Sequence, residues 1–153
     1  MNFELHDVGE TAKNTAIQFS SIYPSKKITV SGSDVFRFDS EWLGEAIGNI
    51  IKNACEHTGE NGIVDVRIYG SEFKNVTTVE IEDNGGGVAE SELPKLFVRF
   101  YKSPNSSAES TGIGLALTRV IVEKHHGTIS ARNKSQGLCV TMCFPHEVFN
   151  SAL

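Results

Sequence analysis

The sequence predicts a two-layer α/β (α+β) sandwich. Three observations lead there. Strand-like and helix-like stretches are mixed rather than strictly alternating, which argues against a doubly wound parallel sheet. The segments "GIVDVRIYGS" and "NVTTVEIED" alternate in the manner of half-buried strands. The chain closes on "GTISARN" and "LCVTMCFP", a further antiparallel pair.

In order along the chain, "FELHD" at residues 3–7 reads as a short strand and "ETAKNTAIQFSSIY" as a helix. "KKITVSG" and "DVFRFDS" read as short strands around a Ser-Gly-Ser turn, hence a hairpin. Ser40 or Asp39 can cap the long helix "EWLGEAIGNIIKNACEHTG", with Gly59 as its stop. After the two alternating strands, "DNGGG" breaks the pattern and "ESELPKLFVRFY" reads as a short helix with an aromatic tail. A polar stretch follows. Gly112 and Gly114 then open a last helix ahead of the final strand pair.

A chain of 153 residues is expected to form one domain, residues 1–153, with a core of its own. A formal net charge of -5 argues against nucleic acid as a main partner, because phosphate backbones demand clustered Lys and Arg. No apolar run approaches the ~20 residues of a membrane span, and no signal-peptide pattern is seen, so neither direct membrane contact nor secretion is expected. Cys55, Cys139 and Cys143 lack metal-ligand spacing. Cys139 and Cys143, four apart in one strand, are too distant to bridge, which points to reduced thiols in a cytoplasmic compartment.

Four places carry chemistry. On the long helix, Leu43, Ala46, Ile47, Ile50 and Ala54 form an apolar stripe. Asn49 and Asn53 share another face, with Glu45 before them and Glu56 and His57 after. Asparagine is a poor helix-interior residue. The pair is either a solvated surface or a source of neutral amide oxygens, which suit a Mg²⁺ ion that keeps most of its waters and bridges phosphates. In "EDNGGGV", a hairpin turn accounts for the glycines on its own. The alternative is a ligand site: Asp83 accepts from an exocyclic amino group, and Gly85 and Gly87 let backbone approach a flat ligand. In "LFVRFYK", Leu96, Phe97 and Phe100 can simply be core, while Arg99 and Lys102 can reach phosphate oxygens. In "TGIGLAL", the dinucleotide pattern fails at Leu117 and the Walker pattern lacks its lysine. What is left is a helix N-terminus with free backbone N–H groups.

Taken in this order, the pieces resemble the ATP-binding catalytic domain of bacterial sensor histidine kinases, in the gyrase/chaperone/kinase ATPase superfamily. "NIIKNACEHT" resembles the asparagine box, "DNGGG" the first glycine box, "LFVRFYKS" the phenylalanine box, "TGIGLAL" the second glycine box, and "GLCVTMCFP" a degenerate last one. The resemblance implies a mixed, mainly antiparallel sheet of about five strands with three main helices on one face, the Bergerat ATP-binding fold. It implies ATP and Mg²⁺ as cofactors, with Asn53 on the metal and Asn49 on the phosphate side. Asp83 would read the adenine amino group, helped by Thr141 through water. Gly85 and Gly87 would shape the pocket and hinge a lid running from about Val88 to Thr111. Gly112, Gly114 and the Leu115 amide would meet the phosphates. Arg99 and Lys102 would complete the catalytic set, and His57, Val88, Phe97, Tyr101, Thr111 and Ile113 would add nucleotide contacts.

The sequence departs from that pattern in places. Glu56 stands where many relatives carry a basic phosphate contact, Val98 where an acidic residue is frequent, and the last box is poor in glycine. His6 is not followed by the run that marks a phosphoacceptor. His125 and His126 end a helix, where the dipole favours a cation and a structural duty is expected, and His146 lies in the tail. The resemblance therefore implies the catalytic part of a longer, membrane-bound sensor kinase. Its partners would be a dimerising phosphoacceptor hairpin of the same receptor and, indirectly, a response regulator. Two rival readings are a serine kinase of the anti-sigma-factor type and a non-catalytic ATP-binding adaptor. The first needs a glutamate one turn before the magnesium asparagine, where this chain has Asn49.

Overall fold

The computed structural model describes residues 1–71, 73, 75–98 and 114–146. Its elements are β1 (Glu4–Asp7), α1 (Val8–Ile22), β2 (Lys27–Ser31), β3 (Val35–Phe38), α2 (Ser40–His57), β4 (Ile63–Ser71), β5 (Val76–Asp83), a 3₁₀ turn (Glu90–Lys95), α3 (Gly114–Lys124), β6 (Thr128–Asn133) and β7 (Leu138–Pro145). Five strands form one sheet in the order β2-β4-β5-β7-β6, antiparallel throughout except for the parallel pair β2·β4. The expected mixed, mainly antiparallel five-stranded sheet with three helices against it is what the chain builds.

Helix α2 is the spine of the helical layer. The Asp39 carboxylate accepts from the Trp42 N–H at 2.9 Å and satisfies a donor that the first helical turn leaves open. Of the two caps the sequence offered, Asp39 is the one used. Leu43, Ala46, Ile47, Ile50, Ile51 and Ala54 are at most 3% exposed and lie in one core with Val64, Val66, Val79 and Ile81 of the sheet. Each fully buried Leu or Ile there stabilises the fold by about 2 kcal/mol. α1 packs beside α2 on the β2 side, and α3 on the β6 side. At the far end of α2 the expected stop at Gly59 is not what ends the helix. His57 is the last helical residue, and Thr58 turns into an extended conformation (φ -97°, ψ 158°). The Lys26 ammonium then donates to the Thr58 and Gly59 carbonyls, so a cation from another element takes the place of a left-handed glycine cap.

The expected hairpin of β2 and β3 does not form. β2 pairs with β4, Lys27 opposite Ile63 and Ser31 opposite Arg67. β3 pairs with β1 in a separate two-stranded ribbon, Glu4 opposite Phe38 and Asp7 opposite Val35. The chain turns at Gly32 (φ 86°), where an added Cβ would strike the Ile68 carbonyl oxygen of β4. The physical reason lies in the aromatic residues. Phe36 and Phe38 are buried on one side of β3, packed on each other, and Phe36 stacks on Phe144 with ring centroids 5.5 Å apart. A hairpin with β2 would deny the ribbon that place at the end of the core.

His125 takes the structural duty expected of it, though as a neutral ring, and His146 is tied in more firmly than a tail residue. His125 follows α3 as a buried side chain. Its Nδ1–H donates to the Ile121 carbonyl at 2.8 Å, while Nε2 accepts from the Asp39 N–H at 3.1 Å. Burial lowers its pKa, against the Ile121 bond, so the ring is a neutral strut between α2 and α3 and not a helix-end cation. His146 continues past β7, stacks on Phe36 and bonds to Thr77, tying the large sheet to the ribbon. All three cysteines are free. Among the described residues no helix is long and apolar enough to cross a membrane.

Candidate functional site

Two elements converge beside α2. The first is the end of β5. Asp83 closes that strand and is 7% exposed. Its Oδ1 accepts from the Gly85 N–H at 2.9 Å and from the Leu138 N–H at 3.3 Å. Burial pushes its pKa up, while those two backbone donors and the neighbouring His57 pull it down. Oδ2 meets no hydrogen-bond partner among the described residues. A carboxylate with one oxygen locked and the other open can accept one further hydrogen bond in a fixed direction.

The glycine run packs directly on the helix. A Cβ at Gly85 would lie 2.5 Å from the His57 carbonyl oxygen, so the close approach itself demands glycine. Gly86 and Gly87 have φ of 86° and 74°, in the left-handed region that disfavours side chains. The open alternative at this stretch, a hairpin turn, is not realised: the chain leaves β5 for the 3₁₀ turn, and β5 pairs with β4 and β7.

The second element is the start of α3. Asn49 and Asn53 are half-buried on α2. The Asn49 Nδ2 donates to the Gly114 carbonyl at 3.2 Å, which pins the first residue of α3 to the helix. Thr118 reinforces the contact, donating to the Gly114 and Ala46 carbonyls. The Asn53 carboxamide meets no hydrogen-bond partner among the described residues. At 1.5 Å rise per residue, Asn49 and His57 stand about 12 Å apart along the axis, with Asn53 midway. Gly114 therefore lies at one end of this stretch and Asp83 and Gly85 at the other.

The structure does not bring every expected residue here. Thr141 lies on the opposite face of the sheet, because β7 turns Leu138, Val140, Met142 and Phe144 into the core. Its register neighbours are Glu80 and Ser130. A strand's two-residue period permits nothing else, and it is the Leu138 backbone that reaches Asp83. Phe97 lines a different cavity of about 470 Å³, between the 3₁₀ turn, α3 and β6, with Leu93, Arg119 and Ile129. Val88 packs against the core and is held by Asn133. Arg99, Tyr101, Lys102, Thr111, Gly112 and Ile113 lie outside the described residues.

Sequence reasoning missed the Leu138 amide, Gly86 and Asn133. A backbone donor leaves no residue-type signature, so Leu138 was unreadable. Asn133 could have been suspected as an Asn closing a strand just before the "KSQG" turn.

The layout is a two-layer α/β domain in which an acidic strand end faces amides along one helix. The chain belongs to the family of histidine kinase-, DNA gyrase B- and HSP90-like ATPases, which matches residues 38–148. It is 29% identical over 129 residues to the sensor histidine kinase YvrG of Bacillus subtilis, covering 82% of this chain and 22% of that protein. It is 33% identical over 135 residues to the sensor protein KdpD of Clostridium acetobutylicum, covering 84% of this chain and 15% of that protein. The chain thus spans less than a quarter of the length of either curated relative. Among solved structures, the mycobacterial sensor histidine kinase MprB superposes with a TM-score of 0.85 at 25% identity, covering 93% of this chain and 97% of that one. The nucleotide-free catalytic domain of histidine kinase ThkA has the same fold, with a TM-score of 0.83 at 22% identity over 95% of this chain and 96% of that one.

Proposed function

We propose that this chain is the catalytic module of a sensor histidine kinase, binding Mg²⁺-ATP and passing the γ-phosphoryl group to a histidine on a separate helical hairpin. The observation that carries the reading is Asp83. Its open oxygen accepts the exocyclic amino group of adenine, and the same oxygen repels the carbonyl that guanine places there. A site built for a hydrogen bond rejects a base that lacks the donor by a hundredfold or more, roughly.

The rest of the site handles charge. Gly114 and Leu115 offer the N-terminal end of α3 to the phosphates. The donor set fits Mg²⁺: Asn53 supplies one unengaged neutral oxygen, and the described residues contain no group of three or more His, Cys, Asp or Glu that would cage a metal alone. When bound, the ion would neutralise charge developing on the transferring phosphoryl oxygens. Asn53 would hold it, Asn49 keeps the start of α3 beside the phosphates, and Asp83 fixes the base. Arg99 and Lys102 are proposed to add positive charge on the phosphate side. Asn49 cannot take a proton, which speaks against the serine-kinase reading. The phosphoacceptor is proposed to lie on another part of the parent receptor, and a response regulator to receive the phosphoryl group from it.

Two measurements test this. Calorimetry in magnesium buffer is expected to give ADP an affinity at least about a hundredfold above GDP, and equal affinities would overturn the reading. Mixing the chain with ATP and a phosphoacceptor hairpin is expected to yield phosphohistidine. Binding without transfer would instead favour an adaptor.

A further inference from the structure

Asn133 closes β6, opposite Leu138 of β7, and does something no backbone group at that place could. Its Oδ1 accepts from the Val88 N–H at 2.9 Å and its Nδ2 donates to the Val88 carbonyl at 2.6 Å. A carboxamide carries the same donor and acceptor as a peptide group, so it adds one rung of sheet-like pairing to a residue in no strand. The Nδ2 also reaches the Glu90 carboxylate at 3.4 Å. The surroundings are shaped around this clamp. Gly87 could not carry a Cβ without striking the Asn133 Oδ1. The Gly86 N–H donates to the Gln136 carbonyl at 3.0 Å, and the next turn residue, Gly137, leaves no room for a Cβ beside Asp83. The β6–β7 turn therefore grips both Asp83 and the glycine run that follows it.

We infer that Asn133 is a positioning residue of the nucleotide site, setting the glycine wall of the purine pocket through Val88. The inference rests on the nucleotide reading above. It assigns the work to the paired donor and acceptor of the amide, and not to the volume of the side chain. Aspartate has the same shape. It keeps the acceptor for the Val88 N–H but sets a carboxylate against the Val88 carbonyl and the Glu90 carboxylate.

The test compares the unchanged chain with Asn133→Ser, Asn133→Ala and Asn133→Asp, reading ADP affinity by calorimetry, Val88 amide exchange by NMR, and Tm. The expected order of ADP affinity is Asn, then Ser, then Ala, with Asp at or below Ala. The loss at Ala is about tenfold, and Val88 protection falls in the same order. The preference for ADP over GDP stays as it was, because Asp83 is untouched. Wild-type affinity and Val88 protection retained in Asn133→Asp would overturn the assignment, as would ADP losses that follow Tm alone. An unchanged chain with no affinity for ADP would overturn the nucleotide reading, and this assignment with it.

Discussion

At the β5 end of the proposed site, Asp83 is buried, its Oδ1 holds two backbone N–H groups, and the following loop is clamped by the β6–β7 turn. A little further back along α2, Asn53 is half-buried with its carboxamide untied, while Asn49 spends its donor on Gly114. In the function proposed above, the first end is set by the protein alone and the second would be completed by a ligand. Recognition of a base needs direction, which rigid backbone donors supply. Neutralising phosphate needs charge, and in the function proposed above an ion on Asn53 would supply part of it, with Arg99 and Lys102. The contrast predicts different symptoms when each end is damaged.

The largest effect is expected at Asp83. Asp83→Asn keeps an acceptor for Gly85 and Leu138 but replaces the open oxygen by a donor that faces adenine's own. ADP affinity should fall about a hundredfold by calorimetry. Stability should not fall with it. Burial raises the Asp83 pKa, so the wild-type ionised carboxylate is a liability that grows as pH rises through its folded value and is absent below the ordinary aspartate range. The variant should therefore match or exceed wild-type denaturant midpoints at pH 7, with any advantage shrinking on acidification. A variant that both unfolds and loses ADP would erase the contrast.

Gly87→Ala comes next. A left-handed φ and the encounter with Asn133 should together destabilise the fold by about 2 kcal/mol in chemical denaturation. At the other end, Asn53→Ala should weaken Mg²⁺-ATP binding about tenfold and leave binding in chelator unchanged. Equal losses in the two buffers would remove Asn53 from the metal. Asn49→Ala should cost about 1 kcal/mol of stability through the bond to Gly114. The smallest effect concerns His125, whose folded pKa is depressed. Its contribution is fully present above the ordinary imidazole value of about 6.5 and is lost as pH falls through the folded pKa. Midpoints should drop on acidification below that value, less steeply in His125→Gln.

What the sequence revealed depended on how local the determinant was. The stripe on α2 is periodic within one element, and it faces the sheet as its spacing predicts. Asp83 was legible because a carboxylate ending an alternating strand before glycines is a pattern of neighbours. The β2–β3 hairpin was misread because Ser31, Gly32 and Ser33 look like a turn in isolation. The true partner of β2 lies in β4, and Phe36 finds its own beyond α3, in Phe144. Thr141 was misassigned although strand alternation could have excluded it, since Leu138, Val140 and Met142 are the apolar set. Asn133 stayed hidden because its target is the backbone of Val88, and backbone groups are present at every position.

The parallel pairing of β2 with β4 sets a schedule for folding. β4 with β5 and β6 with β7 are hairpins closed by short turns, and such units form in roughly microseconds. Thr29 and its partner Asp65 are 36 residues apart in sequence, so docking this edge strand waits for α2 to close the gap. Val30→Ala should accordingly accelerate unfolding in a chevron experiment while leaving the refolding limb where it was.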